Sequence, residues 1–358
     1  MSLVRLELRH VRNIAEATLT PSPSCNVIFG ANASGKTSLL EAIHILGLAR
    51  SFRTPHIKQV IQRGSEGLTV FGRRSRADGS EVALGIERTL RETRIRVAGT
   101  NVDRAAELAR WLPVQVINPE SHEVLEQGPR FRRQFLDWGV FHVEHGFIEA
   151  WRGYHRALRQ RNAALRQGGP DGAITLWNDS LISHAAALSR ARESYLDRLR
   201  PWLDDYVERL LGLPVEFQLL RGWSKDMSYE GALASGLKGD REAGFTRQGP
   251  HRADITMRVD GVRVQQSLSR GQQKLLVAAM RLAQVRLLGT LSPDRCLLLV
   301  DDLPAELDRE RRGRLLALLG EVGAQVFVTS TERDLLDLSA WPECKLFHVE
   351  HGAVHEVV

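Results

Sequence analysis

The sequence predicts an α/β fold built around a P-loop, with a mainly α-helical arm inserted into it. Three observations carry that prediction. The string Gly30-Ala31-Asn32-Ala33-Ser34-Gly35-Lys36-Thr37 spells G-x-x-x-x-G-K-T between the apolar run Asn26–Phe29 and the amphipathic stretch Ser38–Leu46. The motif therefore has its strand, its loop and its helix in the required order. Far downstream, the apolar run Leu297–Val300 ends in Asp301 and Asp302, as a buried parallel strand does when it delivers carboxylates at its C-terminal end. Between the two, from about residue 120 to 212, the period turns helical and Arg, Ala and Leu dominate.

In chain order, Leu3 to Leu8 alternates at period two and reads as a half-buried strand. A second alternating run, Ala15 to Leu19, stops at Pro21 and Pro23. The P-loop strand and helix follow, the helix ending near Gly47, and Ser51–Pro55 is a loop. Leu68–Arg73, Glu81–Arg88 and Thr93–Val97 alternate again, with Asp78-Gly79 at a turn, which is a meander. A short helix around Ala105–Trp111 leads to a strand at Pro113–Ile117, and Asn118-Pro119-Glu120-Ser121 is a turn and helix cap. Gly168–Gly172, with Pro170 inside it, breaks the helical region into an αα-hairpin, and residues 214–245 are mixed. Two strands, Ile255–Val259 and Val262–Gln266, turn at Asp260-Gly261. The remainder alternates: helix 271–289, strand Leu297–Val300, helix 309–319, strand Gln325–Thr329 and a last pair of strands. The expected domains are 1–118 and 247–358 for the P-loop part and 119–246 for the arm.

Composition fits this architecture. The 358 residues, 43% apolar and 26% charged, are those of a globular protein with a substantial core. A net charge of +6, nearly all its cations arginine, permits a polyanionic partner. Cys25, Cys296 and Cys344 form no C-x-x-C pair; Cys25 and Cys296 border apolar strands and read as small core residues in a reducing compartment. No signal-peptide core and no run of membrane-spanning length is present, so the expected location is cytoplasmic, away from membrane, and the family resemblance given below adds nucleoid association.

The motifs assign chemistry. Gly30 and Gly35 let backbone N–H groups converge on phosphate oxygens at a helix N-terminus. Lys36 reaches the β- and γ-phosphates, and the Thr37 hydroxyl ligates Mg²⁺. Asp301 is the second Mg²⁺ ligand, and Asp302 orients or activates the attacking water. Leu268-Ser269-Arg270-Gly271-Gln272-Gln273-Lys274 opens another helix with a hydroxyl and a glycine N–H, a second anion site. Since a P-loop already holds its phosphates on one side, a second phosphate-binding helix start makes most sense serving the nucleotide of another subunit. The expected cofactors are ATP and Mg²⁺, bound by residues Gly30 to Ser38, and the expected assembly is an ATP-dependent homodimer.

These residues also carry a resemblance. LSRGQQ resembles the signature motif of ABC-type ATPases, LLLVDD their Walker B strand and AELD, Ala305 to Asp308, their D-loop. Within that superfamily the chain is most similar to the RecF family of bacterial recombination mediators. The similarity rests on HVRN, GANASGKTS, SFRT, GPHR, SRGQQK, LLVDDLPAELD and VFVTS, which cover the ATPase part from end to end. The resemblance implies a Rad50/SMC-like head in which Ser269, Arg270, Gly271, Gln272 and Asp308 act on the nucleotide of the partner head. It implies that Arg12 and Asn13 touch the nucleotide, and that RecR- and RecO-like proteins are partners. It further implies weak, DNA-dependent hydrolysis that releases a dimer clamped on duplex DNA near gaps or junctions, with little sequence preference. Two departures stand out: Ala33 occupies a position usually held by glycine, and Thr329, Ser330 and Thr331 stand where transporters carry a switch histidine. Asp302, shorter than the usual Glu, agrees with slow turnover.

Other features have two readings. Between Arg130 and Arg166 eight arginines face three acids, as a solvated helical face or as a contact for duplex phosphates. Arg247, His251 and Arg252 either face nucleotide or DNA or stabilise a turn. The repeated hexapeptide Phe-His-Val-Glu-His-Gly at 141–146 and 347–352 offers a His-x-x-His pair, a weak metal motif. The rival functions are a transporter ATPase subunit, opposed by the absent histidine, and an SMC-like structural ATPase, opposed by the lack of heptads.

Overall fold

The alternating N-terminal residues form a hairpin, β1 (Leu3–Val11) and β2 (Ile14–Leu19), turned through Arg12 and Asn13. β3 (Cys25–Phe29) leads into the P-loop and α1 (Lys36–Leu48) leaves it. The meander is β4 (Gly67–Ser75), β5 (Glu81–Thr89), β6 (Thr93–Val97) and the short β7 (Thr100–Val102). α2 (Ala105–Trp111) and β8 (Val114–Ile117) follow. Next come α3 (Glu123–Glu126), α4 (Pro129–Val143), α5 (Phe147–Arg166), α6 (Asp171–Thr175) and α7 (Asn178–Leu211). β9 (Glu216–Leu220), α8 (Tyr229–Ala243), β10 (Asp254–Val259), β11 (Val262–Arg263) and α9 (Val264–Ser267) precede α10 (Arg270–Leu291). β12 (Leu297–Val300), α11 (Arg309–Glu321), β13 (Gln325–Ser330), β14 (Cys344–Glu350) and β15 (Ala353–Val357) complete the chain. The computed structural model describes residues 2–76, 78–292, 295–302 and 307–357.

The chain divides into two compact units, Met1–Ser121 with Arg209–Leu211 and Lys274–Val358, and His122–Glu208 with Gly212–Gln273. The second unit thus continues through Gln273, past the 246/247 boundary expected from the sequence, and takes in the Ser269–Gln273 segment.

In the first unit an antiparallel sheet, β2-β1-β4-β5-β6-β7, accompanies a mostly parallel one, β15-β14-β3-β13-β12-β8. β12 and β13 are buried at every position, which is why their sequences are unbroken apolar runs instead of alternating ones. α1 is buried on nearly all sides because one core cluster joins Leu39, Ile43 and Leu46 to Leu6, Val70 and Leu84 of the antiparallel sheet. The same cluster joins them to Ile28, Leu299 and Phe327 of the parallel sheet. Each such side chain contributes about 1.5–3 kcal/mol on burial. Gln325, with no exposed surface, pins the two sheets: its Oε1 accepts the Leu3 N–H at 2.7 Å while its Nε2 donates to the Leu3 and Ser22 carbonyls. Cys25 and Cys296 are core residues, as expected, and burial pushes the Cys296 thiol up.

In the second unit α5 and α7 are the long helices on either side of the glycine break. The second strand expected over Val262–Gln266 is not formed beyond Arg263. There the chain turns into α9, which buries Val264 completely and lets Gln265 Nε2 donate to the Leu125 carbonyl at 2.8 Å. The turn before β10 is held by arginines: Arg132 forks onto Asp254, Arg133 donates to the Ala253 carbonyl, and Arg192 forks onto Asp137 and donates to the Pro250 carbonyl. Arg161, wholly buried, bonds Asp240 and Thr246. His251 also belongs to this turn. It pairs with Tyr154 Oη at 2.7 Å and with the Thr246 carbonyl at 3.0 Å, and burial holds its imidazole down at about 4. The turn-stabilising reading of His251 is the one this geometry supports. Among the described residues no helix is long and apolar enough to cross a membrane.

Candidate functional site

The P-loop geometry follows from its glycines and its neighbours. Gly30 has φ +152° and its backbone lies so close to β14 that an added Cβ would sit 2.2 Å from the Val349 carbonyl oxygen. Any other residue would expel the loop from the sheet. Ala33 adopts φ +63°, the left-handed conformation that glycine takes without cost and alanine does not. Asn13 clamps the loop from the β1–β2 turn: its Nδ2 donates to the Ser34 carbonyl at 2.9 Å and its Oδ1 accepts the Ser38 hydroxyl at 2.8 Å. From the other side the Gly352 N–H, in the β14–β15 turn, donates to the same Ser34 carbonyl at 2.9 Å. The second copy of the repeated hexapeptide thus ends in a loop support, while the first closes α4, where His142 packs on Trp138. No group of three or more metal-ligating side chains exists among the described residues, so the repeat holds no such cluster there.

Behind the loop the carboxylates are in place. Asp301, 8% exposed, accepts at Oδ1 from Thr37 Oγ1 at 3.0 Å and from Thr329 Oγ1 at 2.8 Å. Burial pushes its carboxyl above the ordinary range; the two hydroxyl bonds oppose that rise, and Asp302 adds to it. Thr329 in turn accepts the Asp302 N–H at 2.7 Å, and Asp302 sits at φ +53°. Lys36 Nζ donates to the Gly30 and Ala31 carbonyls at 2.7 and 2.9 Å; burial lowers its pKa, and the Asp302 and Asp301 carboxylates oppose that shift. A cavity of about 910 Å³ collects these groups, bounded by Asn32, Lys36, Thr37, Asp301, Asp302 and Thr329 and continuing past Arg53, Lys58 and Leu90. The chemistry fits a divalent cation beside a triphosphate: one hydroxyl and one carboxylate, both hard oxygen donors, meet beneath a phosphate-binding loop. The Ser34 hydroxyl, buried in the loop without a partner, is a further polar atom suited to a bound anion.

Some expected residues do other work in this structure. Arg12 lines the cavity but its guanidinium is engaged, bidentate to the fully buried Glu41 at 2.7 and 2.8 Å and donating to the Gln59 carbonyl. Ser51 bonds the same Glu41 carboxylate. A lone acid on an otherwise apolar helix face, as Glu41 is, signals a buried cation partner, and sequence reasoning passed over it. Thr329 was noted for what it replaced and not for what it holds. Ser269–Gln272 fall in the other unit, with Ser269 and Arg270 exposed; the Ser269 N–H bonds Gln272 Oε1 and the Gln272 N–H bonds Ser269 Oγ, a capping box. Asp308 caps α11 by accepting the Arg311 N–H at 2.8 Å. Ala305 and Glu306 of the expected D-loop lie outside the described residues.

A P-loop strand inside a mixed sheet, with an antiparallel sheet over its helix and a helical unit interrupting it, defines the class of SMC-like heads. The family model described as RecF/RecN/SMC N terminal domain matches residues 2–354. A curated relative, the DNA replication and repair protein RecF of Stutzerimonas stutzeri (strain A1501), is 46% identical over 363 residues, covering 100% of this chain and 98% of its own. The chain belongs to the RecF family. A solved structure of the recombination mediator protein RecF-ATP in the RecFOR pathway matches with TM-score 0.88 at 23% identity, over 100% of this chain and 98% of that one. An Smc head domain with an extended coiled coil from Pyrococcus furiosus, bound to the C-terminal domain of ScpA, matches at TM-score 0.61 and 14% identity, over 99% and 96%. These two likenesses establish the shared head fold.

Proposed function

We propose that the protein is an ATP-dependent DNA-binding mediator of recombinational repair and replication restart. ATP with Mg²⁺ joins two copies, the joined pair clamps duplex DNA near single-stranded gaps, and RecR- and RecO-like partners use it to help load recombinase. The observation that carries this reading is the split of the chemistry. Lys36, Thr37, Asp301 and Asp302 converge on one cavity, while the Ser269–Gly271 helix start belongs to the other unit with Ser269 open to solvent. The names borne by full-length relatives support the repair role; no feature favours the transporter reading.

In this scheme the loop N–H groups and Lys36 hold the phosphates, Thr37 and Asp301 hold the cation, and Asp302 faces the water. Bound ATP supplies the γ-phosphate that both copies grip, and its hydrolysis removes that grip. Turnover is slow and DNA-dependent, a timing switch and not a motor.

Light scattering with and without saturating Mg–ATP tests the reading. The mass should double with nucleotide, and Ser269→Arg should leave ATP binding intact while abolishing the doubling. A protein that stays monomeric with Mg–ATP, in the presence and absence of duplex DNA, overturns it.

A further inference from the structure

We propose that the outer face of α5 is a track for the sugar–phosphate backbone of duplex DNA, formed by Arg152, Arg156, Arg159 and Arg166. The inference rests on the DNA-binding reading above and gives it a surface. Two sets of arginines stand out in the helical region. Arg132, Arg133, Arg161 and Arg192 are spent internally on the turn before β10, so they are not available to a ligand. The remaining four on α5 stand at positions i, i+4, i+7 and i+14, which at 100° per residue fall within a sector of about 80°.

The residues α5 buries, Phe147, Tyr154, Ala157, Leu158, Arg161 and Leu165, lie on the opposite side of the helix, so the row points away from the core. It runs roughly 21 Å along the axis at 1.5 Å per residue. Arg156, Arg159 and Arg166 are exposed and Arg152 is half-buried. None of the four enters an ion pair among the described residues. The single acid on α5, Glu149, lies at its N-terminal end.

The contrast with the antiparallel sheet is what makes the row informative. There four exposed arginines are already neutralised, Arg5 by Glu7, Arg9 by Glu16, Arg73 by Glu81 and Arg94 by Glu92, and Arg96 donates to Asn101 Oδ1. On α5 four planar cations stand unpaired in line, and guanidinium forks match phosphate oxygens. A duplex segment as long as the row carries about twelve phosphates, at one charge per ~1.7 Å. No aromatic side chain falls within the row, and Trp151 and His155 beside it pack on each other, so the row itself offers charge and not a stacking platform. The match is to a regular polyanion read without regard to sequence.

The test is fluorescence anisotropy with a labelled duplex and the full chain in Mg–ATP, from about 50 to about 200 mM salt. The triple variant Arg156→Gln/Arg159→Gln/Arg166→Gln is compared with the sheet variant Arg73→Gln/Arg94→Gln. The α5 variant should lose about 2–3 units of the log–log salt slope and about 30-fold in affinity at the lowest salt. Its ATP affinity and thermal midpoint should match wild type, and the sheet variant should keep the wild-type slope. A wild-type slope and affinity in the α5 variant overturns the track while leaving DNA binding intact, and points the row toward an acidic protein instead. Losses in both variants in proportion to the three and two charges removed reduce the effect to net charge and also overturn it. If the wild-type chain shows no salt-dependent duplex binding, the DNA-binding reading itself fails.

Discussion

Thr329→Val removes one hydroxyl and keeps the shape of the side chain, so it isolates what that hydroxyl does. In the folded chain it donates to Asp301 Oδ1 at 2.8 Å and accepts the Asp302 N–H at 2.7 Å, with Thr329 wholly buried. A hydrogen bond to a carboxylate contributes about 1.5–3 kcal/mol, and a buried N–H left unpaired costs about 1–3 kcal/mol. The added methyl returns part of that, about 0.8 kcal/mol. Asp301 keeps its second donor, Thr37, so the net loss should be about 2–4 kcal/mol, read from the denaturant midpoint. The kinetic effect should exceed the binding effect. Asp302 is held at φ +53°, a conformation costing a non-glycine residue about 1–2 kcal/mol, and the Thr329 bond is what fixes it. Released, its carboxylate would leave the position that the proposed function gives it beside the attacking water. ATP hydrolysis should fall at least about tenfold, worth 1.4 kcal/mol of barrier, while ATP affinity changes far less because Lys36 and the loop are untouched. Thr329→Ser should restore both properties. A valine variant that unfolds within about 0.5 kcal/mol of wild type and hydrolyses normally would refute the assignment.

Two further outcomes are expected. Ala33→Gly should raise stability by about 0.5–1 kcal/mol, because relief of the left-handed strain, about 1–2 kcal/mol, exceeds the flexibility glycine adds to the unfolded chain; a drop in the urea midpoint would contradict this. His44 is buried with its ring nitrogen on the Arg50 carbonyl at 2.6 Å, and burial holds it down at about 4. The unfolded chain therefore takes up that proton first, near pH 6.5. His44's contribution is fully present above that pH, is lost as pH falls from 6.5 toward 4, and totals about 3 kcal/mol. His44→Gln should flatten the unfolding free energy over this window by close to one proton, and an unchanged slope would remove His44 from the account.

Most of the architecture is legible in the sequence because it is written in short-range patterns. Period two marks β1, β2 and β4 to β6; unbroken apolar runs mark β12 and β13; and the P-loop spelling fixes its own surroundings. What the sequence conceals are partners far apart in the chain. Arg12 looks like a free nucleotide ligand until Glu41 is seen beside it. The arginines between 130 and 166 look alike, and only folding sorts the buried Arg161 from the exposed Arg159. Val262–Gln266 alternates like a strand, yet the burial of Val264 and the carbonyl of Leu125 claim it for a helix.

The support of the phosphate loop has a consequence for synthesis. β3 is flanked in its sheet by β13 and β14, which follow it only far along the chain, and the loop rests on a turn at Gly352. During synthesis the P-loop strand therefore lacks the neighbours that shape the loop until those much later strands are made, and closing so distant a contact is slow. Chains cut short before β13 should be blind to nucleotide and, on the function proposed above, unable to hold DNA.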